Sequence, residues 1–501
     1  MNGCIVYEHG EAFDALDLSL IQDLKIDRIL REINRDNSPF VESLFLRKPE
    51  RAEDVQFRLA CMQDLQRPDV AGIIAGFGAQ YGRFREYLEN SRKLPQPRTK
   101  QKWFLDAAVA YCDSILTLKS DLTCVGVKSQ ALRRFLDCLT AHAETEEFRT
   151  LHADGKRCTD RMDAIRYTVE VSLNQNRVKV SALRDDRTAA DNLFEKIAQQ
   201  FRPYDLNANA TVVPFPGVNM GTLETGILEQ LQALFPDAFS LLDRFCGDHP
   251  TFDTALADRF AEELQFYLCY IRYMDRLRQR GFCFAYPRFS AEKTVRIEGG
   301  YDLVLAQDEA AKVSVADFHR EAGQSFLVTG PNHGGKTTYV GMVGQVLYLA
   351  SLGLPTPCRS LEAFLPCGLY THFAKNEDLS TNAGRLKEEL LRVKAILNRM
   401  PDDSLVIFND LFASTTTYDA LQMGRQILEQ FLAKGCLFLF ATHIGELARV
   451  CPGLVTLRAS RDEAAGGYVV EHGKAGQESW QNQWMDRYRL RREDILERVN
   501  G

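Results

Sequence analysis

SFLVTGPNHGGKTTYVGMVGQVLYLASLG, Ser325 to Gly353, decides how this chain is read. An apolar segment gives way to glycines and a lysine, and a second apolar segment with helical spacing follows. Within it, Gly330-Pro-Asn-His-Gly-Gly-Lys-Thr337 satisfies G-x-x-x-x-G-K-[ST] at each fixed position. The strand before it and the helix after it are the context that this motif requires. Gly330, Pro331, Asn332, Gly334 and Gly335 are expected to form a loop whose backbone N–H groups surround phosphates. Lys336 would neutralise the β and γ oxygens, Thr337 would offer its hydroxyl to Mg2+, and Thr338 would continue the first helical turn, whose positive end faces the anion. The ligand implied is ATP with Mg2+.

Two downstream stretches extend the pattern. LVIFNDLFASTTTYDA (Leu405–Ala420) is an apolar strand that stops at Asn409 and Asp410, and LFLFATHIGEL (Leu437–Leu447) is another that ends at Thr442 and His443. Strand ends carrying Lys336, Asp410 and His443 are expected to converge at one edge of a parallel sheet, where open α/β folds bind ligands.

The chain has 501 residues, 45% hydrophobic and 26% charged, so more than one core is expected in a water-soluble balance. No run approaches the roughly eighteen apolar residues of a membrane helix, and the start lacks a secretory pattern, so no membrane partner and a cytoplasmic location are expected. The 13 cysteines form no CxxC pair and no zinc spacing, which fits small buried hydrophobes in a reducing compartment. A net charge of -7 leaves a local basic groove possible, because binding follows where charge sits and not its sum.

Helical periodicity covers Asp14–Arg35, Gln101–Lys119, Gly221–Cys246 and Phe252–Arg280, while Tyr167–Val180 alternates about Asn174-Gln175-Asn176 like a β-hairpin. Near Cys283–Ile297 the texture turns to short strands and then alternates strand with helix. The expected architecture is α plus α/β: a helical framework over residues 1–290 with the hairpin near 167–180, followed by a mixed α/β nucleotide-binding domain over 291–501.

GPNHGGKTTYVGMVGQVLYLASLG, LVIFNDLFASTTTYDA and LFLFATHIGEL together resemble the ATPase domain of the MutS DNA mismatch-repair family. In that family the loop reads GPNMGGKST, the acidic strand ends in DE before a GTSTYDG-like loop, and a later segment reads ATHxxEL. The likeness extends over roughly Arg296 to Val499, and more loosely over LDLSLIQDLKIDRIL and ERAEDVQFRLACMQDL. It implies an ATP-gated, DNA-binding homodimer joined through its ATPase domains, with a helical core over residues 1–100, a helical lever or clamp-like region over 101–290 and an ABC-type P-loop ATPase domain over 291–501 ending in a helix, here without the family's N-terminal mismatch-reading domain. The tripeptide Phe-x-Glu of that domain recurs at Phe40, Phe84 and Phe260, within helical-looking stretches.

The resemblance also locates departures. Gly384 stands where a phosphate-reaching Ser is usual, with Arg385 beside it as a candidate replacement charge. Asn409 stands where an Asp holds metal-bound water, and Asp410 where a longer Glu polarises the attacking water. The metal set is then Thr337, Asn409 and Asp410, and the catalytic pair Asp410 and His443; binding is kept and hydrolysis slowed. In a milder alternative the loop shifts, so that Asp410 serves the metal and His443 orders the water. Candidate DNA contacts are Arg92, Lys93, Arg98, Lys100 and Lys102, and Arg272, Arg276, Arg278 and Arg280. The rival class is a nucleotide-gated protein scaffold that binds no DNA.

Overall fold

The computed structural model describes residues 3–8, 13–15, 17–172, 177–182, 222–374, 382–412, 415–451, 453–462 and 467–473. These mix helix and sheet and form two compact units. One comprises Met1–Pro68, Val127–Phe135 and Asp258–Gly501, the other Asp69–Gly126 and Leu136–Ala257.

The first unit is built around a six-stranded sheet. In chain order its strands are β1 (Ser325–Thr329), β2 (Leu369–Phe373), β3 (Leu405–Asn409), β4 (Leu437–Ala441), β5 (Leu454–Asp462) and β6 (Gly467–His472). They lie in the order β2-β3-β4-β1-β5-β6, parallel throughout except for the terminal β5–β6 pair. Every residue of β1, β3 and β4 is buried, the signature of parallel strands covered on both faces. Register aligns Asn409 with both Phe373 and Ala441, and Ala441 with Val328, so the carboxyl ends of four strands share one edge.

Helix α1 (Lys336–Ser351) follows β1, α2 (Asn382–Arg399) follows β2 and α3 (Thr417–Lys434) follows β3. Nearly all of α1 is buried, so it lacks the polar face of a surface helix. Val393, Ile396 and Met400 from α2 and its end join Phe408, Phe431 and Phe438 in a core that also receives Leu411 and Phe412. Helix α3 is capped at both ends: the Thr416 side chain accepts from the Asp419 N–H, and Gly435 closes it in the left-handed region. A four-stranded sheet joins Arg288–Phe289, Ser360–Ala363, Val295–Gly300 and Ala316–Arg320.

The second unit is mainly helical, with Pro97–Val125, Glu146–Asp163, Thr222–Leu234 and Pro236–Asp248 among its elements, and its strands Tyr167–Ser172 and Arg177–Ala182 pair antiparallel. Phe84 and Tyr111 are buried in it and make mutual ring contacts with the half-buried Phe252, which also meets Phe104.

Two helices expected to be continuous are broken. The span Asp14–Arg35 contains separate helices Leu18–Asp23 and Ile26–Ile33, with Lys25 left-handed at φ 56 between them. The break frees the Leu24 carbonyl to accept from Gln345 Nε2 at 3.2 Å, a tertiary bond that periodicity cannot register. Gly221–Cys246 divides at Phe235, because Pro236 supplies no N–H and begins a new helix. The hairpin's turn residues 174–176 and the expected C-terminal helix lie outside the described residues.

Candidate nucleotide site

Between β1 and α1 the chain reverses tightly. The Gly334 N–H donates to the Pro331 carbonyl at 3.1 Å, His333 is left-handed at φ 64, and Gly335 caps α1 at φ 92. A Cβ on Gly330, where φ is 144, would overlap the Ala459 carbonyl oxygen; on Gly335 it would overlap the Tyr468 ring. Glycine at both places is therefore required by space as well as by dihedral. Asn332 is exposed and Thr338 half-buried.

Lys336 is only 4% exposed, and its ammonium donates to the carbonyls of Gly330 at 2.9 Å and Pro331 at 2.8 Å. Burial pushes its pKa down from the usual lysine value, and the Asp410 carboxylate opposes that shift. A charge held this way among its own loop's carbonyls is close to where phosphate oxygens would compete for it.

The other side of the site is the end of β3. Asn409 is buried, and its Oδ1 accepts from the Thr337 hydroxyl at 3.0 Å, which ties the phosphate loop to the strand end. Asp410 extends the ladder by one bond, its N–H donating to the Ala441 carbonyl at 2.8 Å, and then turns left-handed at φ 52. His443, reached from β4, places Nδ1 3.3 Å from Asp410 Oδ1, with the two side chains 47% and 27% exposed respectively. The structure thus brings Thr337 to Asn409 and His443 to Asp410, at one sheet edge.

Among the described residues no three His, Cys, Asp or Glu side chains could together hold a metal. Instead the neutral oxygens of Thr337 and Asn409 stand with one carboxylate, a donor set that suits Mg2+ shared with phosphate oxygens and water.

Other candidates divide. Gly384 and Arg385 lie on α2, but their side chains fall outside the described residues. Phe84 and Phe260 are buried at 0% and 1% exposure, so neither can wedge between bases. Arg272, Arg276 and Arg278 pair with Asp36, Glu32 and Asp275, and Arg280 donates to the carbonyls of Ala306, Gln307 and Asp308, so that basic run is engaged within its own unit. In the other run, Arg98 bonds Asp243, Gln101 and Gln232, Lys102 pairs with Asp106 and Lys93 with Glu89. Arg92 and Lys100 instead line a cavity of about 350 Å³ floored by Phe104 and Phe252.

Sequence reasoning missed two carboxylates. Glu389 on α2 accepts from the buried Phe412 N–H at 3.1 Å, and Asp23 accepts from the Thr371 hydroxyl, the Phe373 N–H and Arg392. A signal existed for the first: Leu386, Glu389, Val393, Ile396 and Met400 fall on one helical stripe, in which the acid is out of place.

Residues 326–464 match the family model for MutS domain V. DNA mismatch repair protein MutS of Rhodopirellula baltica is 32% identical over 201 residues, 38% of this chain and 22% of that protein. MutS of Syntrophomonas wolfei is 30% identical over 191 residues, covering 37% and 22%, and MSH2 of Saccharomyces cerevisiae 29% over 176 residues, covering 34% and 18%. The matches thus span about a fifth of the length of these relatives.

Proposed function

The C-terminal region is related to the MutS family, with a domain V over residues 326–464; from that premise we propose that the protein is a P-loop ATPase of DNA mismatch repair or related DNA maintenance. ATP binding would gate closure of helical arms on DNA. The observation that carries the reading is the bond from the Thr337 hydroxyl to Asn409, beside the Asp410–His443 pair. Together the two contacts join the three motifs at one sheet edge, an arrangement that supports a site for one triphosphate. The proposed organisation remains a helical core over 1–100, a lever or clamp over 101–290 and an ATPase domain over 291–501, dimerising through the last.

In this mechanism the Gly330–Gly335 loop and Lys336 would bind the phosphates, and Thr337, Asn409 and Asp410 would hold Mg2+. When bound, the metal supplies positive charge to the phosphate oxygens. Asp410 accepts the proton of the attacking water, and His443 orients that carboxylate from 3.3 Å. Asn409 contributes no negative charge and Asp410 is a methylene shorter than Glu, so turnover is expected well below the roughly 10 per second of a median enzyme.

Arg92 and Lys100 are the basic heads proposed for DNA phosphate. Their neutralisation should flatten the linear fall of log affinity with log salt. The decisive experiment measures ATP binding, ATP hydrolysis and duplex or branched DNA binding together, in wild type and Lys336→Ala. Loss of ATP binding with loss of ATP-dependent DNA binding is expected. DNA binding indifferent to both ATP and Lys336 would overturn the clamp. The neutral Asn409 favours a second reading, a nucleotide-gated scaffold; ATP-dependent self-association with no affinity for any DNA would select it.

A further inference from the structure

The segment after β3 carries strain that it does not support by itself. Asp410 and Phe412 are both left-handed, at φ 52 and 65, although neither is glycine. Non-glycine residues hold such angles only where their surroundings over-determine them. Here the determinants are visible. Leu411 and Phe412 are buried to 1% exposure in the core, and the buried Phe412 N–H donates to Glu389 Oε2 at 3.1 Å. Glu389 is itself 6% exposed.

The helix that brings Glu389 is fixed in turn. One helical turn on, Arg392 donates to Asp23 Oδ2 at 2.7 Å and to the Thr371 carbonyl at 2.8 Å. Asp23 also accepts from the Phe373 N–H at 3.2 Å, and Phe373 pairs in register with Asn409. Glu389 is thus held against the same strand ends that carry the site, and it grips the backbone two residues beyond Asp410.

We infer that Glu389 is a positioning residue for Asp410: it holds the turn from Asp410 to Phe412, left-handed at both ends, and so aims the Asp410 carboxylate toward His443 and the place of the attacking water. It touches neither nucleotide nor metal. The inference rests on the ATPase reading above and adds a residue that acts through the backbone. Without the acceptor, the buried Phe412 N–H is unsatisfied, and a turn that shifts to find another partner moves the residue two positions back, Asp410, with it.

The test compares Glu389→Met, which keeps length and burial but cannot accept, with Glu389→Gln, which keeps an acceptor. ATP affinity, kcat, KM and hydrogen exchange at the Phe412 amide are measured on the full chain. The expected result for Glu389→Met is a kcat lowered about 100-fold, the usual consequence of an ångström-scale misplacement. KM and ATP affinity should be unchanged and Phe412 exchange faster. Glu389→Gln should recover kcat to within about fivefold, as befits weakening and not losing one hydrogen bond. If the Met variant does not fold, Glu389→Asp substitutes for it: the shortened carboxylate should lower kcat and speed the same amide's exchange.

Unchanged kcat or unchanged Phe412 exchange in the acceptor-deficient variant overturns the inference. So does parallel loss of ATP affinity and kcat, which would mark a merely structural carboxylate. A wild-type chain that hydrolyses no ATP fails the ATPase reading itself, and the positioning role with it. Hydrolysis by wild type with an unaffected variant fails the positioning role alone.

Discussion

The two loops that face the candidate site leave the same sheet edge and solve the same problem differently. The loop after β1 has glycine at two of its three positive-φ positions, Gly330 and Gly335, where a side chain would collide with Ala459 or Tyr468, and His333 at the third. The loop after β3 places such angles on Asp410 and Phe412 and relies on burial and on Glu389 to hold them. Glycine supplies most of the shape of the first loop, whereas the second depends on its tertiary contacts. On the proposed function, phosphate binding and water activation would depend on structure of different kinds, and the second would be the more easily lost.

Substitutions can break that contrast. The largest effect is expected for Gly330→Ala, in which backbone strain and overlap with a carbonyl add to roughly 3 kcal/mol or more of lost stability, read from denaturant midpoints at constant slope. Loss below about 1 kcal/mol would show that the first loop is not as rigid as its geometry indicates.

Next is Asp23→Ala, which strands the half-buried Arg392 and two donors from β2. Removing one partner of a buried pair costs on the order of 3 kcal/mol. The pair also sets a pH response. Burial raises the Asp23 pKa above its usual 3.8, against the pull of Arg392. Between those values the folded state binds more protons than the unfolded, so this group's contribution to stability should fall as pH climbs from about 4 through its raised pKa. Urea midpoints in wild type and Asp23→Ala test the sign, and the variant should lose the slope.

On the second loop, Asn409→Asp adds one negative charge beside Thr337. The Mg2+ concentration that half-supports ATP binding should fall roughly tenfold, the scale of one charge interaction of about 1.4 kcal/mol at the site's edge. A calorimetric Mg2+ titration in the presence of ATP reads this directly; no change would remove Asn409 from the metal set. A smaller effect belongs to Asp410→Gly, which relieves a left-handed residue. Stability should stay level or rise by up to about 1 kcal/mol in thermal melts, while any hydrolysis disappears. Smallest is the alkaline response of Lys336. Its lowered pKa means that the charge is shed below the usual lysine value, so ATP affinity should decline as pH rises toward 10.5. An affinity flat across that range would contradict the role given to the ammonium.

How legible each part was follows from the range of the forces involved. Strands β1, β3 and β4 were readable because continuous burial writes continuous apolar runs. Pro236 marks a break within the periodic span Gly221–Cys246, because apolar spacing continues across a residue that has no N–H to continue the helix. The break at Lys25 had no local sign, since Leu24 turns toward Gln345, more than three hundred residues away. The basic runs at Arg92–Lys102 and Arg272–Arg280 looked alike as sequence, and only neighbouring carboxylates and carbonyls distinguished them.

By itself, then, the sequence determined the phosphate loop, the apolar strands and the residues offered at their ends, because spacing along the chain and steric demands on glycine are local. The tertiary structure alone decided that Thr337 meets Asn409, that His443 meets Asp410, and that Glu389 and Asp23 secure the strand ends. Those bonds join segments far apart in the chain, and a hydrogen bond forms only where folding has already brought donor and acceptor within about 3 Å.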